Sequence, residues 1–157
     1  VKITQERLKE LLDYDPISGI FTRKKDGKIV GRLNENGYVI INVDGILFRS
    51  HRLAWLYVYG GIVPFPLDHI DGNKENNSIN NLRSCTQSQN QANIPLSKNS
   101  TSGLKGVWYD KPKKKWKAGI KKDNKKYHLG YYLTKEEAHE AYCKAAVEFF
   151  GEFARFK

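Results

Sequence analysis

The spacing of apolar positions changes several times along the chain, and each change marks an element. Ile3 and Thr4 precede Leu8, Leu11 and Leu12, which predicts a short helix capped by Thr4 with Ile3 folded back on Leu8. Tyr14-Asp15-Pro16 ends it. Stretches 20–22, 38–43 and 46–48 are rich in β-branched and aromatic residues and read as strands, with Asp26-Gly27 and Asp44-Gly45 as turn signals. In 52–59 Leu53, Ala54, Leu56 and Tyr57 return to helical spacing, and Gly60-Gly61 stops the helix. Pro64 and Pro66 then open a new unit.

Thr86-Gln87-Ser88-Gln89 has capping-box spacing and predicts a helix over 87–93, before Pro95. The polar, aperiodic stretch 97–103 is the best linker in the chain. Three strands are expected beyond it, at 104–109, 115–121 and 126–131, with Asp123-Asn124 as the second turn. A helix capped by Thr134 follows, with Ala138, Ala141, Tyr142, Ala145, Ala146 and Phe149 on one stripe. In the second strand Trp116, Ala118 and Ile120 alternate with Lys115, Lys117, Gly119 and Lys121. In the third, Tyr127 and Leu129 alternate with Lys126 and His128. One face of this sheet is thereby apolar and the other is a field of lysines. The expected class is α+β in two modules: residues 1–96, a linker at 97–103, and a three-stranded antiparallel sheet with one helix at 104–157.

Charge says what that field faces. The formal net charge of +10 and a pI near 9.5 point to an acidic polymer or an anionic surface. Residues 1–95 hold 12 Lys/Arg against 10 Asp/Glu, whereas 96–157 hold 15 against 7, so the excess lies in the second module. No apolar run of membrane-spanning length and no signal-peptide pattern occurs, which disfavours a membrane partner and favours nucleic acid. Cys85 and Cys143 stand far apart without a CxxC pattern, so neither a disulfide framework nor a cysteine zinc site is expected, and a reducing cytosol is the expected compartment.

The chemistry-bearing stretch runs from Leu67-Asp68-His69-Ile70-Asp71-Gly72 through Asn80-Asn81-Leu82-Arg83 to Asn90. Phosphodiester hydrolysis needs a base for the attacking water and a cation on the developing negative charge. Histidine suits the base, and carboxylate and amide oxygens suit a hard divalent ion, which favours Mg²⁺ or Mn²⁺ over zinc. This stretch resembles the HNH (ββα-metal) nucleases of phage and intron homing type, and Ser50-His51-Arg52-Leu53-Ala54-Trp55 resembles the segment preceding the centre in that family. The resemblance implies a ββα-metal core at about 64–95, His69 as general base, Asp68 and Asn90 as metal ligands, and Asn81 bracing the hairpin and orienting His69. Arg83 is expected on DNA, and His51 is expected to support structure or touch DNA. Family members often carry His where this chain has Asn90. The implied products are 5′-phosphate and 3′-hydroxyl ends, and the implied setting is a phage-encoded enzyme in host cytosol.

A second resemblance lies in Ser102-Gly103-Leu104-Lys105-Gly106-Val107, Trp116-Lys117-Ala118, Leu129-Gly130-Tyr131, Ala141-Tyr142 and Gly151-Glu152-Phe153-Ala154. These resemble the DNA-binding domain of the Apetala-two/ethylene-response-factor type. It implies DNA contacts from Lys105, Trp108, Lys117, Lys121, Lys126 and His128, with lysines favouring phosphates over base edges. Two further readings stand beside this one: a non-catalytic DNA-binding regulator with a decayed nuclease module, and a small structural zinc module, which the scattered Cys and His disfavour. The sequence leaves open whether one copy or a homodimer acts on DNA.

Overall fold

The computed structural model describes residues 3–97 and 99–157. By internal contacts the chain divides into two compact units, Val1–Cys85 and Thr86–Lys157, each with its own core.

The first unit opens with α1 (Gln5–Leu11), whose N-terminus is closed by Thr4 Oγ1 accepting from Arg7 N at 3.2 Å. Three short antiparallel strands follow, β1 (Leu12–Tyr14), β2 (Phe21–Arg23) and β3 (Ile29–Val30), in the order β1-β2-β3. A second sheet, β4-β5-β6, comprises β4 (Arg32–Leu33), β5 (Val39–Val43) and β6 (Ile46–Arg49). Asp44 and Gly45 close its β5-β6 hairpin with φ of 50° and 82°, the two left-handed positions that a tight hairpin turn requires. Helix α2 (Ser50–Tyr59) leads directly off β6 and ends at Gly60. Leu8, Phe21, Ile41, Leu53 and Ala54, all nearly inaccessible, form the core, with Ile3 packed against it. Burying each large apolar side chain contributes about 1.5–3 kcal/mol. The antiparallel pair β7 (Leu67–His69) and β8 (Leu82–Ser84) completes the unit.

Sequence expectation and structure differ here in two ways. Strands β1, β3 and β4 have only two or three residues, too short to show alternation, and β1 begins where α1 stops. Helix α2 starts at Ser50, two residues before its apolar spacing does, because Ser50 and His51 are themselves buried.

The second unit begins with α3 (Gln87–Ala92) and its capping box from Thr86 and Gln89. Strands β9 (Val107–Asp110), β10 (Lys115–Lys122) and β11 (Lys125–Tyr132) make an antiparallel sheet in the order β11-β10-β9. Asp123 and Asn124, at φ of 48° and 63°, form the two-residue turn between β10 and β11. Helix α4 (Lys135–Phe150) carries the expected capping box and buries Ala138, Tyr142, Ala145, Ala146 and Phe150. Its stripe ends on Phe150, while the partly buried Phe149 turns to the sheet margin and meets Tyr127 at 4.9 Å between ring centroids. Tyr127 is accordingly more exposed than the alternation suggests.

Residues 104–106 precede β9 as turn instead of strand. Gly106 (φ 73°) lies so close to Tyr142 that a Cβ would sit 2.0 Å from the ring, so the approach of α4 to this turn requires glycine. Within 97–103, Lys98 lies outside the described residues. Ser102 is buried, its hydroxyl within reach of the Leu104 and Val107 carbonyls at 2.9 and 2.7 Å.

Candidate active site

All three side chains of β7 are buried, which places Asp68 and His69 beneath the surface of the first unit. Asp68 pairs across the ribbon with Arg83 of β8, and Arg83 Nε donates to Asp68 Oδ2 at 3.0 Å. Both side chains are largely shielded, 6% and 13% exposed, so the ion pair is less screened than a surface one.

The 70–81 loop between the strands is built by asparagine and aspartate side chains imitating backbone turns. Asp71 Oδ1 accepts from Asn73 N at 2.7 Å, and Asn73 Oδ1 accepts from Glu75 N at 3.1 Å. Asn81 closes the loop. Its Oδ1 accepts from Asp71 N at 3.1 Å, and its Nδ2 reaches Asp71 Oδ1 at 3.0 Å and Asn76 O at 2.8 Å. These hydrogen bonds hold the Asp71 carboxyl below its ordinary pKa against the opposing effect of burial.

His69 meets Asn77 through Nε2 and Oδ1 at 3.3 Å. The amide direction is fixed because Asn77 Nδ2 donates to Glu75 O at 2.9 Å, leaving Oδ1 toward the ring. An amide oxygen only accepts, so Nε2 carries the hydrogen and Nδ1 is the basic nitrogen of the neutral ring. Burial lowers the His69 pKa, partly offset by Asn77, Asp71 and Asp68, so the ring is neutral at neutral pH.

Asn77 is itself held from far away in sequence. Tyr14 Oη donates to its carbonyl at 2.7 Å, and Ile79 N donates to Pro16 O at 3.1 Å. Gly19 backs onto this turn so tightly that a Cβ would stand 2.3 Å from Asn77 C. The 14–20 segment is therefore a mould for the loop that orients His69. The sequence does not single out Asn77 as a functional residue. Only the buried fold reveals it, since nothing local distinguishes Asn77 from the asparagines around it.

Two other rings adjoin His69. His51, from the first turn of α2, lies 5.0 Å away edge-on, and Tyr38 lies 6.3 Å from His69 and 5.5 Å from His51. His51 is 4% exposed and its Nδ1 has no hydrogen-bond partner among the described residues. Burial, reinforced by His69, Arg49 and Arg52, pushes its pKa down to about 3, so it stays neutral.

The other residues singled out from sequence fall in the second unit. Asn90 lies on α3. Trp108, Lys117, Lys121, Lys126 and His128 come together around a shallow groove of about 270 Å³ on the sheet. The indole of Trp108 lies over the backbone of Gly119, and Lys117 Nζ sits 5.4 Å from its ring centroid. A register shift between Ala118 and Gly119 marks the same point of β10. Lys105 lies apart from this groove. Its Nζ donates to Ala92 O at 2.5 Å and Ile94 O at 2.7 Å, and burial lowers its pKa to about 8. It tethers the end of α3 to the sheet. No helix among the described residues is long and apolar enough to cross a membrane.

Residues 49–92, from the end of β6 through the ribbon to the end of α3, match the family model for HNH endonuclease. That segment is an HNH endonuclease family domain. It is 32% identical over 110 residues to Protein 3.8 of Escherichia phage T7, covering 69% of this chain and 90% of that protein. It is 34% identical over 124 residues to the uncharacterized HNH endonuclease L560 of Acanthamoeba polyphaga mimivirus, covering 78% and 63% respectively. Among solved structures it is similar to the HNH homing endonuclease I-HmuI, at 31% identity and a TM-score of 0.44, over 53% of this chain and 51% of that one. The chain thus spans nearly all of the phage protein but under two thirds of the mimivirus protein and about half of I-HmuI.

Proposed function

We propose that the chain is a metal-dependent endonuclease of ββα-metal type that hydrolyses phosphodiester bonds of double-stranded DNA. The observation that carries this reading is His69: a buried, neutral imidazole whose Nε2–H is directed to Asn77, beside the buried carboxylate of Asp68 on one ribbon. In that tautomer Nδ1 is the basic nitrogen of the ring, the kind of atom that accepts a proton in general-base catalysis.

In the proposed reaction His69 Nδ1 accepts a proton from water, whose oxygen attacks phosphorus. The bond from phosphorus to the 3′ oxygen breaks, leaving a 5′-phosphate and, once that oxygen is protonated, a 3′-hydroxyl. Asn77 keeps the imidazole in the required tautomer, and Asn81 keeps the loop closed beneath it. Asp68 and Asn90 are proposed as metal ligands by donor type. Their carboxylate and amide oxygens are hard donors suited to Mg²⁺ or Mn²⁺, with water and phosphate oxygens filling the shell. Among the described residues no group of three or more His, Cys, Asp or Glu side chains is placed to hold a metal ion. When bound, such a cation supplies charge stabilisation for the phosphate and leaving oxygen.

We further propose that residues 104–157 grip the duplex as a domain of the Apetala-two/ethylene-response-factor type. Lys117, Lys121 and Lys126 would meet phosphates, and Trp108 and His128 would line the contact. The enzyme would act in host cytosol as a homing-type, phage-encoded nuclease. Incubating supercoiled plasmid with the protein in Mg²⁺, Mn²⁺ or chelator, then testing the ends for direct ligation, is the test. Cutting that requires the metal and gives ligatable ends is expected. Intact plasmid under every metal condition would end the proposal.

A further inference from the structure

Three segments distant in sequence converge on the ring of Tyr38. Arg49, the last residue of β6, places its Cζ 4.4 Å from the ring centroid. Lys74, from the 70–81 loop, places its Nζ 4.6 Å from the same centroid and donates to Asn36 O at 3.0 Å. Tyr38 is anchored by its own turn, its N–H donating to Asn34 Oδ1 at 2.9 Å. The rings of His51 and His69 also adjoin it.

This arrangement is unusual for surface cations. Both side chains are exposed, and neither makes an ion pair among the described residues, although four other Arg and Lys side chains of the same unit's surface or ribbon do. Two like charges on one aromatic ring repel each other, and an anion placed beside both would relieve that repulsion. The two are also complementary as phosphate ligands: a guanidinium offers a planar bidentate fork, an ammonium a compact point charge. Stacking on a fixed ring and the bond to Asn36 restrict their motion before any ligand arrives, which lowers the ordering cost of binding.

We infer that Tyr38, Arg49 and Lys74 form a phosphate clamp that holds the nucleic-acid backbone next to the bond presented to His69. The inference rests on the nuclease reading and adds a substrate-positioning site that lies outside the proposed base and metal ligands. Arg49 and Lys74 bind the anion, and Tyr38 acts through them as a positioning residue.

The test uses the full chain with Arg49→Gln, Lys74→Gln, the double substitution, Arg49→Lys and Tyr38→Leu. Lys9→Gln is the control, since Lys9 is an exposed cation over a different ring, that of Tyr57. Binding to duplex DNA is measured by anisotropy in chelator across a salt series, and single-turnover cutting is measured in Mg²⁺. Each neutralising change should flatten the slope of log affinity against log salt by about 0.9, and the double change by about 1.8. Arg49→Lys should restore the slope of the Arg49→Gln variant, and Tyr38→Leu should weaken binding with the slope kept. Cutting at saturating DNA should fall less than affinity does. Unchanged thermal midpoints in the glutamine variants would confirm that exposed charge, and not folding, was removed. A double variant with wild-type slope and affinity, in a protein that binds and cuts, overturns the clamp alone. The clamp also falls if Lys9→Gln flattens the slope as much as Arg49→Gln. A wild type that neither binds nor cuts overturns the nuclease reading and the clamp with it.

Discussion

Replacing Asn77 by alanine isolates the orientation of His69 from its chemistry. The change removes the acceptor of the His69 Nε2–H and the donor to Glu75 O, while the backbone carbonyl that Tyr14 holds remains. At 3.3 Å the histidine contact is a long hydrogen bond, so its direct loss is at the low end of about 0.5–1.5 kcal/mol. Leaving the buried N–H unsatisfied costs more, about 1–3 kcal/mol, in a site where Asn77 is 2% exposed. A total near 2 kcal/mol would lower the midpoint of a unit this size by roughly 8–16 °C. Catalysis should suffer beyond stability, because the ring regains the other tautomer and can rotate. A misplacement of this kind costs on the order of 10²-fold in rate. Asn77→Asp tests the sign. A carboxylate at Nε2 favours the imidazolium, raising the His69 pKa, so the acid limb of the rate profile should move to higher pH. Single-turnover plasmid cutting across pH 5–9, paired with thermal melts at each pH, separates the two effects. An Asn77→Ala protein that is folded and cuts at the wild-type rate with an unshifted profile would refute the assignment of Asn77.

Other perturbations address separate parts of the molecule. His51 has its pKa lowered from 6.5 to about 3, so its contribution to stability is complete above pH 6.5 and is lost as pH falls toward 3. By pH 4.5 that amounts to about 3 kcal/mol, and denaturant titrations of His51→Gln should show a flatter acid dependence than wild type. Arg83→Met removes the cross-strand ion pair with Asp68 and should destabilise the first unit by about 1.5–3 kcal/mol, the range for a hydrogen bond to a charged group, read by urea unfolding. Changing Lys117, Lys121 and Lys126 together to glutamine should flatten the salt slope of DNA binding by up to about 2.7, with little change in melting temperature because Lys121 and Lys126 are exposed.

How much of this was legible in sequence depended on distance along the chain. The capping boxes at Thr86 and Thr134 and the Asp123-Asn124 turn were readable because each is complete within four residues. The apolar stripe of α4 was readable because sixteen residues give a period time to repeat. Strands β1, β3 and β4 give it none, and their pairing is dictated by partners up to 11 residues away. Asp68 and His69 stood out as residue types, but their surroundings did not. The acceptor for His69 is Asn77, and Asn77 is set by Tyr14, which is 63 residues earlier. Lys105 looked like one more lysine of the sheet face until the carbonyls ending α3 appeared beside it, 11 and 13 residues upstream. Tyr38 carried no signal at all, because two cations and two histidines reach it from three other segments. Periodicity reports which face is buried, and it is silent about which buried polar atoms meet.

Whether His69 supplies the base for phosphodiester hydrolysis is tested most directly by single-turnover cutting of supercoiled plasmid by His69→Ala in Mg²⁺, alongside duplex binding by the same protein in chelator. A base assists the transition state and contributes little to ground-state binding. Cutting should therefore fall by about 10²–10⁴-fold with affinity within a few-fold of wild type, and a His69→Ala protein that cuts at the wild-type rate would contradict the role given to His69.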